Sequence, residues 1–140
     1  LALYRLASQC KKSSVFRPLA VPLLYFEQLL SGCHLHPSAE IGSDCDFPHP
    51  TGIVIGAQVR IGNRVTIYQN VTLGSHGQSG TEKQYHVIED DVTIYAGSVI
   101  VGGLVIGKGA IIGANSVVLT DIPAGATAVG APAKPLPSKS

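Results

Sequence analysis

The stretch VIEDDVTIYAGSVIVGGLVIGKGAIIGANSVV, residues 87–118, decides the fold. Ile88, Ile94, Ile100, Ile106, Ile112 and Val118 recur through it every six residues. A helix repeats its buried face about every 3.6 residues and a strand about every two. A period of six suits neither. It suits a coil with three short flat sides, one hexapeptide to a side. Each large aliphatic then points inward and stacks on its counterpart about 18 residues later, in the next coil. Outward from this stretch, the same clock joins Leu35, Ile41, Phe47 and Ile53. It then shifts by two and resumes at Ile55, Ile61, Ile67 and Leu73. Glycine often follows directly, at Gly42, Gly56, Gly62, Gly74, Gly107 and Gly113. Its expected role there is to allow corner geometry that a side chain hinders. Four places after the aliphatic comes Val or a smaller residue, as at Val59, Val65, Val71, Val92, Ser98, Ala110 and Ser116. A conventional β-sandwich is the rival fold, but plain alternation puts no six-residue clock on glycine.

The expected architecture is an all-β solenoid, a parallel β-helix over residues 33–122. An N-terminal helical segment precedes it over 1–32, with short helices at 1–10 and 16–31 separated by CKKSS. A Pro- and Gly-rich tail follows over 123–140, read as a short strand or turn with an extended end. Residues 75–87, SHGQSGTEKQYHV, break the clock. A loop ejected from a regular solenoid is expected to serve binding or catalysis. The chain starts at Leu1 and holds no methionine, so its natural N-terminus is expected to lie upstream.

Composition narrows the function. With 45% hydrophobic and 14% charged residues, the chain reads as one packed domain rather than a disordered segment. A net charge of +1 makes no electrostatic case for nucleic acid. Three cysteines without a pairing pattern point to a reducing, cytoplasmic setting. No signal peptide is visible, and no apolar run reaches the ~18 residues of a membrane span.

Two of the five histidines stand out by position. His49 lies two residues after inward Phe47, and His86 lies two before inward Ile88. Both are expected to point away from the coil axis, near corners that a loop or neighbouring subunit can reach. A neutral imidazole there can take a proton from a hydroxyl; position alone equally allows a surface histidine. A zinc site of the gamma carbonic anhydrase kind would need converging histidines. His34 and His36 do flank Leu35 on one side, but the close His-x-x-x-x-His pair is absent, so no metal is expected. There is no Walker loop, dinucleotide fingerprint or G-x-S-x-G motif. Arg60, Arg64, Lys108 and Lys134 are scattered basic residues, candidates for phosphate contacts.

The segments HPSAEIG, HPTGIVIG, VTIYQNVTLG, IGANSVV and VGAPAK, with the opening YRLAS, resemble the hexapeptide-repeat acyltransferases, nearest their serine acetyltransferase branch. The resemblance implies a left-handed β-helix that forms homotrimers. It implies acetyl-CoA as acyl donor, lying along the groove between adjacent β-helices of the trimer. His49 matches the catalytic base and His86 the second active-site histidine. Gly74, Ala96, Gly102 and Ala114 match small positions along the pantetheine arm. Lys108 and Lys134 match basic positions suited to the CoA phosphates. The implied reaction is direct attack of an acceptor hydroxyl on the thioester, with a backbone amide or His86 stabilising the oxyanion.

The chain departs from the family pattern around the acceptor. Pro48 stands where an Asp normally precedes the base. His34 replaces the orienting carboxylate fifteen residues upstream, and Tyr85 replaces an Arg that holds the amino acid's carboxylate. Asp46 or Asp44 is the available substitute for the orienting acid. Most of the N-terminal helical domain is missing, and the tail ends PSKS without the terminal Ile that docks into cysteine synthase. Lost charge-assisted bonds of this kind cost about 1.5–3 kcal/mol each. The expected acceptor is therefore a sugar or glycan-precursor hydroxyl, as in short relatives of polysaccharide synthesis. The alternatives are serine O-acetylation for cysteine biosynthesis and a non-catalytic β-helix scaffold.

Overall fold

The structure, a computed structural model, describes residues 2–12, 15–74 and 85–136. Helices α1 (Ala2–Lys12) and α2 (Arg17–Ser31) come first. The coil follows as β1 (His34–Leu35), β2 (Glu40–Ile41), β3 (Val54–Ile55), β4 (Arg60–Ile61), β5 (Thr66–Ile67), β6 (Thr72–Gly74), β7 (Val87–Ile88), β8 (Thr93–Ile94), β9 (Val99–Val101), β10 (Val105–Ile106), β11 (Ile111–Ile112) and β12 (Val117–Val118). Strands β13 (Thr127–Gly130) and β14 (Ala133–Pro135) close it as an antiparallel pair. The tail thus folds back on the coil as a hairpin rather than ending extended. The expected loop 75–87, with His76, lies outside the described residues over 75–84.

Each coil visits three sheets in turn. The first stacks β1, β3, β6, β9 and β12; the second β2, β4, β7 and β10; the third β5, β8, β11, β13 and β14. All pairings except β13–β14 are parallel and bring the inward aliphatics into columns. Ile55 pairs with Leu73, Ile88 with Ile106, and Ile94 with Ile112. Two insertions lengthen the steps that span them. Leu35 pairs with Ile55 because two extra residues lie between Phe47 and Ile55. Leu73 pairs with Ile100 because residues 75–84 intervene. Ile55, Ile67, Leu73, Ile94, Ile100, Ile106 and Ile112 are all fully buried. Each such side chain contributes about 1.5–3 kcal/mol of hydrophobic stabilisation.

The glycines after the inward aliphatics have a different role from the one expected. Positive φ falls instead three places after the aliphatic, at Asp44, Gln58, Arg64, Asn70, Asp91 and Asn115, between 55° and 62°. Asp and Asn tolerate that region best among residues with a side chain. The glycines that follow the aliphatics let adjacent coils approach. A Cβ on Gly62 would sit 2.8 Å from the Asp90 amide nitrogen, and one on Gly107 2.8 Å from Ala124 Cα. Gly62→Ala is therefore expected to cost ~1–3 kcal/mol by overpacking. Urea denaturation beside Gly109→Ala checks this. Gly109, at φ +68°, has no neighbour within 4 Å of the place a methyl would take, so its substitution costs only backbone strain.

A solenoid exposes its last coil unless something caps it. Here α1 covers the N-terminal end, with Tyr4 and Ala7 buried. Tyr4 Oη donates to Ala39 O at 2.5 Å, and Arg5 Nη2 to Gly42 O at 3.0 Å. Helix α2 ends at Gly32, whose φ of 65° lets its amide reach Gln28 O. One face of α2 leaves Tyr25, Phe26, Leu29 and Leu30 exposed. No helix among the described residues is long and apolar enough to cross a membrane.

Candidate active site

His49 sits where the chain passes from the third sheet to the first. The two extra residues between Phe47 and Ile55 widen this corner and lift the histidine clear of the coil. Phe47 packs against the core on one side and buried Ile53 anchors the other. Between them the Thr51 amide donates to His49 O at 2.7 Å, closing a tight turn flanked by Pro48 and Pro50. His49 itself is exposed. Its ring lies 6.4 Å from that of Tyr68, and Tyr68 stacks on Tyr95 at 5.1 Å. Sequence reasoning missed these tyrosines. The available signal was that each directly follows an inward isoleucine of the same column, Ile67 or Ile94. Ala96 and Ala114 continue the edge, with the Asn115 amide bonded to Ala96 O.

His86 does not point outward. It is 1% exposed. It occupies the slot that Val59, Val65 and Val92 fill in other coils, two places before an inward aliphatic and so on the same face of the strand. Its Nε2 donates to Gly74 O at 2.7 Å, and the Gly102 amide reaches the same oxygen at 3.2 Å. Gly74, His86 and Gly102 therefore come together where the first sheet hands over to the second, beside half-buried Tyr85. The His49 and His86 corners bound opposite sides of the first sheet, separated by a face about six residues or ~20 Å long. One chain does not bring the two histidines together.

The basic candidates divide as well. Lys108 lies on the remaining edge, its Nζ 3.9 Å from Asp91. Arg64 grips Asp91 through two bonds of 2.6 and 2.9 Å. That guanidinium holds the Asp91 carboxyl below the usual carboxylate range. Lys134 is exposed on β14, opposite Val129 at the C-terminal end of the coil. His34 is exposed on β1, its Nδ1 3.4 Å from Gln28 Oε1, and its strand lies beside Val54. Asp46 pairs through its backbone with Thr66. Among the described residues no hydrogen bond or ion pair joins His49 to Asp44 or Asp46, and no group of three or more His, Cys, Asp or Glu could hold a metal.

Beside the His49 corner, between the helices and the first coil, lies a cleft of about 460 Å³. Phe47, Pro50 and Thr51 form one wall, and Glu27 and Leu30 of α2 another. Glu27 is 6% exposed, and burial pushes its carboxyl above the usual range. Sequence reasoning passed over Glu27, because nothing in the local pattern of α2 marks it as inward.

Residues 85–120 match the family model of bacterial transferase hexapeptide (six repeats). A serine acetyltransferase of Helicobacter pylori is 40% identical over 134 residues, 96% of this chain and 77% of that protein. The chain belongs to the serine acetyltransferase family of hexapeptide-repeat transferases. Among solved structures, soybean serine acetyltransferase complexed with serine is 42% identical, with TM-score 0.87 over 96% of this chain and 54% of that one. A serine acetyltransferase in complex with CoA is 37% identical, with TM-score 0.85 over 96% of this chain and 54% of that one. The chain thus spans about half the length of these solved structures. The coil is the left-handed parallel β-helix of this family of O-acetyltransferases, whose acyl donor is acetyl-CoA.

These findings overturn the expectation of a sugar acceptor and of a part in polysaccharide synthesis. The serine acetyltransferases of Helicobacter pylori and soybean each match 96% of the chain. The expectation failed for a physical reason. Pro48, His34 and Tyr85 remove charges from three positions, but a small zwitterion can be held by any groups that reach it. A loss at one position does not prevent replacement from another element.

Proposed function

We propose that this chain transfers the acetyl group of acetyl-CoA to the hydroxyl of L-serine, with His49 as general base. The likeness to the serine complex of the soybean enzyme, along 96% of the chain, carries this reading. In it, the neutral His49 imidazole accepts the hydroxyl proton as the oxygen attacks the thioester carbonyl. The C–O bond forms, the C–S bond breaks, and the departing sulfur takes the proton back. Exposed His49 suits this task, since its loss disturbs no core packing. His86 holds the Gly74 carbonyl at the opposite edge, where small Gly74 and Gly102 leave room for the pantetheine arm. Ala96 and Ala114 serve the same purpose on the His49 edge, and Lys134 is the freer of the two lysines to meet CoA phosphates.

Because one chain keeps the His49 and His86 edges apart, the reading includes a homotrimer in which one edge of each coil faces the other edge of its neighbour. The test is to supply acetyl-CoA and L-serine, follow CoA release with a thiol reagent, and identify O-acetylserine by mass. Serine-dependent release from a trimer by light scattering is the expected result. Release that is independent of serine defeats the reading.

A further inference from the structure

We infer that the Gln69 side chain binds the amide of the acyl donor that lies nearest its thioester. This rests on the donor half of the serine reading, with the thioester at His49 and the pantetheine arm along Ala96 and Ala114. Backbone bonds put Gln69 between those two ends. The Gly97 amide donates to Gln69 O at 3.0 Å and the Asn115 amide to Ala96 O at 2.9 Å, so Gln69, Ala96 and Ala114 stack in one column. Below them the Asn70 amide donates to Thr51 O at 2.9 Å, which seats Gln69 on the turn that carries His49. Gln69 is half-buried, and its Oε1 is covered without a hydrogen-bond partner among the described residues. A carboxamide oxygen taken out of water without a donor is costly. The coil itself has no need of an amide here, since alanine fills the same place in the next two coils. The terminal torsion of a glutamine is soft, so rotation about it turns the carboxamide from the coil toward the groove. Tyr68 and Tyr95 each stand one place before a column residue, and their rings stack at 5.1 Å beside it. That aromatic flank limits competition from water and strengthens a hydrogen bond made there. Scale then selects the partner. Adjacent coils lie about 4.8 Å apart. In an acyl-CoA only two methylenes separate the sulfur from the first amide, a comparable distance. A thioester at His49 therefore brings that amide level with Gln69, and its N–H meets the unpartnered Oε1. The ligand class that fits is an acyl thioester with an amide two methylenes from sulfur. A plain alkyl thioester has no N–H to offer.

The test compares acetyl-CoA with S-acetyl-N-acetylcysteamine, which keeps only the first amide, and with S-pentyl thioacetate, which has none. Gln69→Met keeps the length of the side chain and removes its carboxamide. It is expected to lower kcat/KM about three- to tenfold on each of the two amide donors, the size of one hydrogen bond. S-pentyl thioacetate should serve variant and wild type equally, and KM for serine should stay within about twofold. The melting temperature should equal or exceed that of wild type, because Oε1 makes no bond within the chain. Calorimetry should show CoA itself bound about three- to tenfold more weakly by the variant, which reads the contact without any acceptor. Unchanged CoA binding overturns the inference. So does an equal loss on all the donors, which marks a structural role, or a loss confined to acetyl-CoA, which places the contact farther along the arm. A variant that leaves the trimer in light scattering overturns it too, by assigning the amide to the subunit interface. Should wild type release CoA from acetyl-CoA without need of serine, the serine reading fails, while weaker CoA binding by Gln69→Met still upholds the amide contact.

Discussion

His49→Ala is expected to lower kcat for serine acetylation by ~10²–10⁴-fold, the usual contribution of a positioned general base. The effect should fall on kcat and kcat/KM alike, because proton acceptance stabilises the transition state and not the bound substrate. Stability should move by no more than about 0.5 kcal/mol, as for other exposed positions. His49 is exposed on a widened corner, its ring centroid 6.4 Å from that of Tyr68. Glu40→Ala is the matched control. Glu40 is exposed on the regular strand β2 of the second sheet, away from the widened corner. Steady-state kinetics and thermal melts on the two variants decide the matter. A loss below about threefold for His49→Ala would place the base elsewhere.

Ile94→Ala is expected to destabilise the chain by about 2–5 kcal/mol, a large part of the ~5–15 kcal/mol typical of a domain. Ile94 is fully buried and lies in one column between Ile67 and Ile112, held in register by parallel pairs on both sides. The strands are two residues long, and each is tied to the coils above and below. They have little freedom to collapse into the space that a missing side chain leaves, so most of the cavity cost remains. Leu119→Ala removes a similar aliphatic from a 48% exposed position. It should cost only about 0.5 kcal/mol. Urea denaturation of both variants tests the difference. Equal midpoints would mean that the columns do not carry the stability.

Much of the coil was legible because its signal is local. An inward side chain every six residues needs no knowledge of distant contacts, and the place of His49 two residues after inward Phe47 already put it near a corner. His86 was misplaced by a different logic. Its position two before Ile88 puts it on the inward face by strand alternation, but a large polar ring in a slot usually filled by valine reads as outward. The carbonyl of Gly74, which accommodates it, lies across residues that the clock does not describe. The acceptor was misjudged because absent charges at three motif positions were weighed without knowing what else reaches that corner.

The sequence by itself determined the three-sided coil, its columns and the exposed corner of His49, because these follow from the spacing of neighbouring residues. Only the tertiary structure decided that His86 is buried, that Tyr68 and Tyr95 stack along the His49 edge, and that the two histidine edges stand apart. It alone also placed Glu27 of α2 in the cleft beside that corner. Such contacts join residues about twenty or more positions apart, and they depend on which elements stack, which no local pattern records.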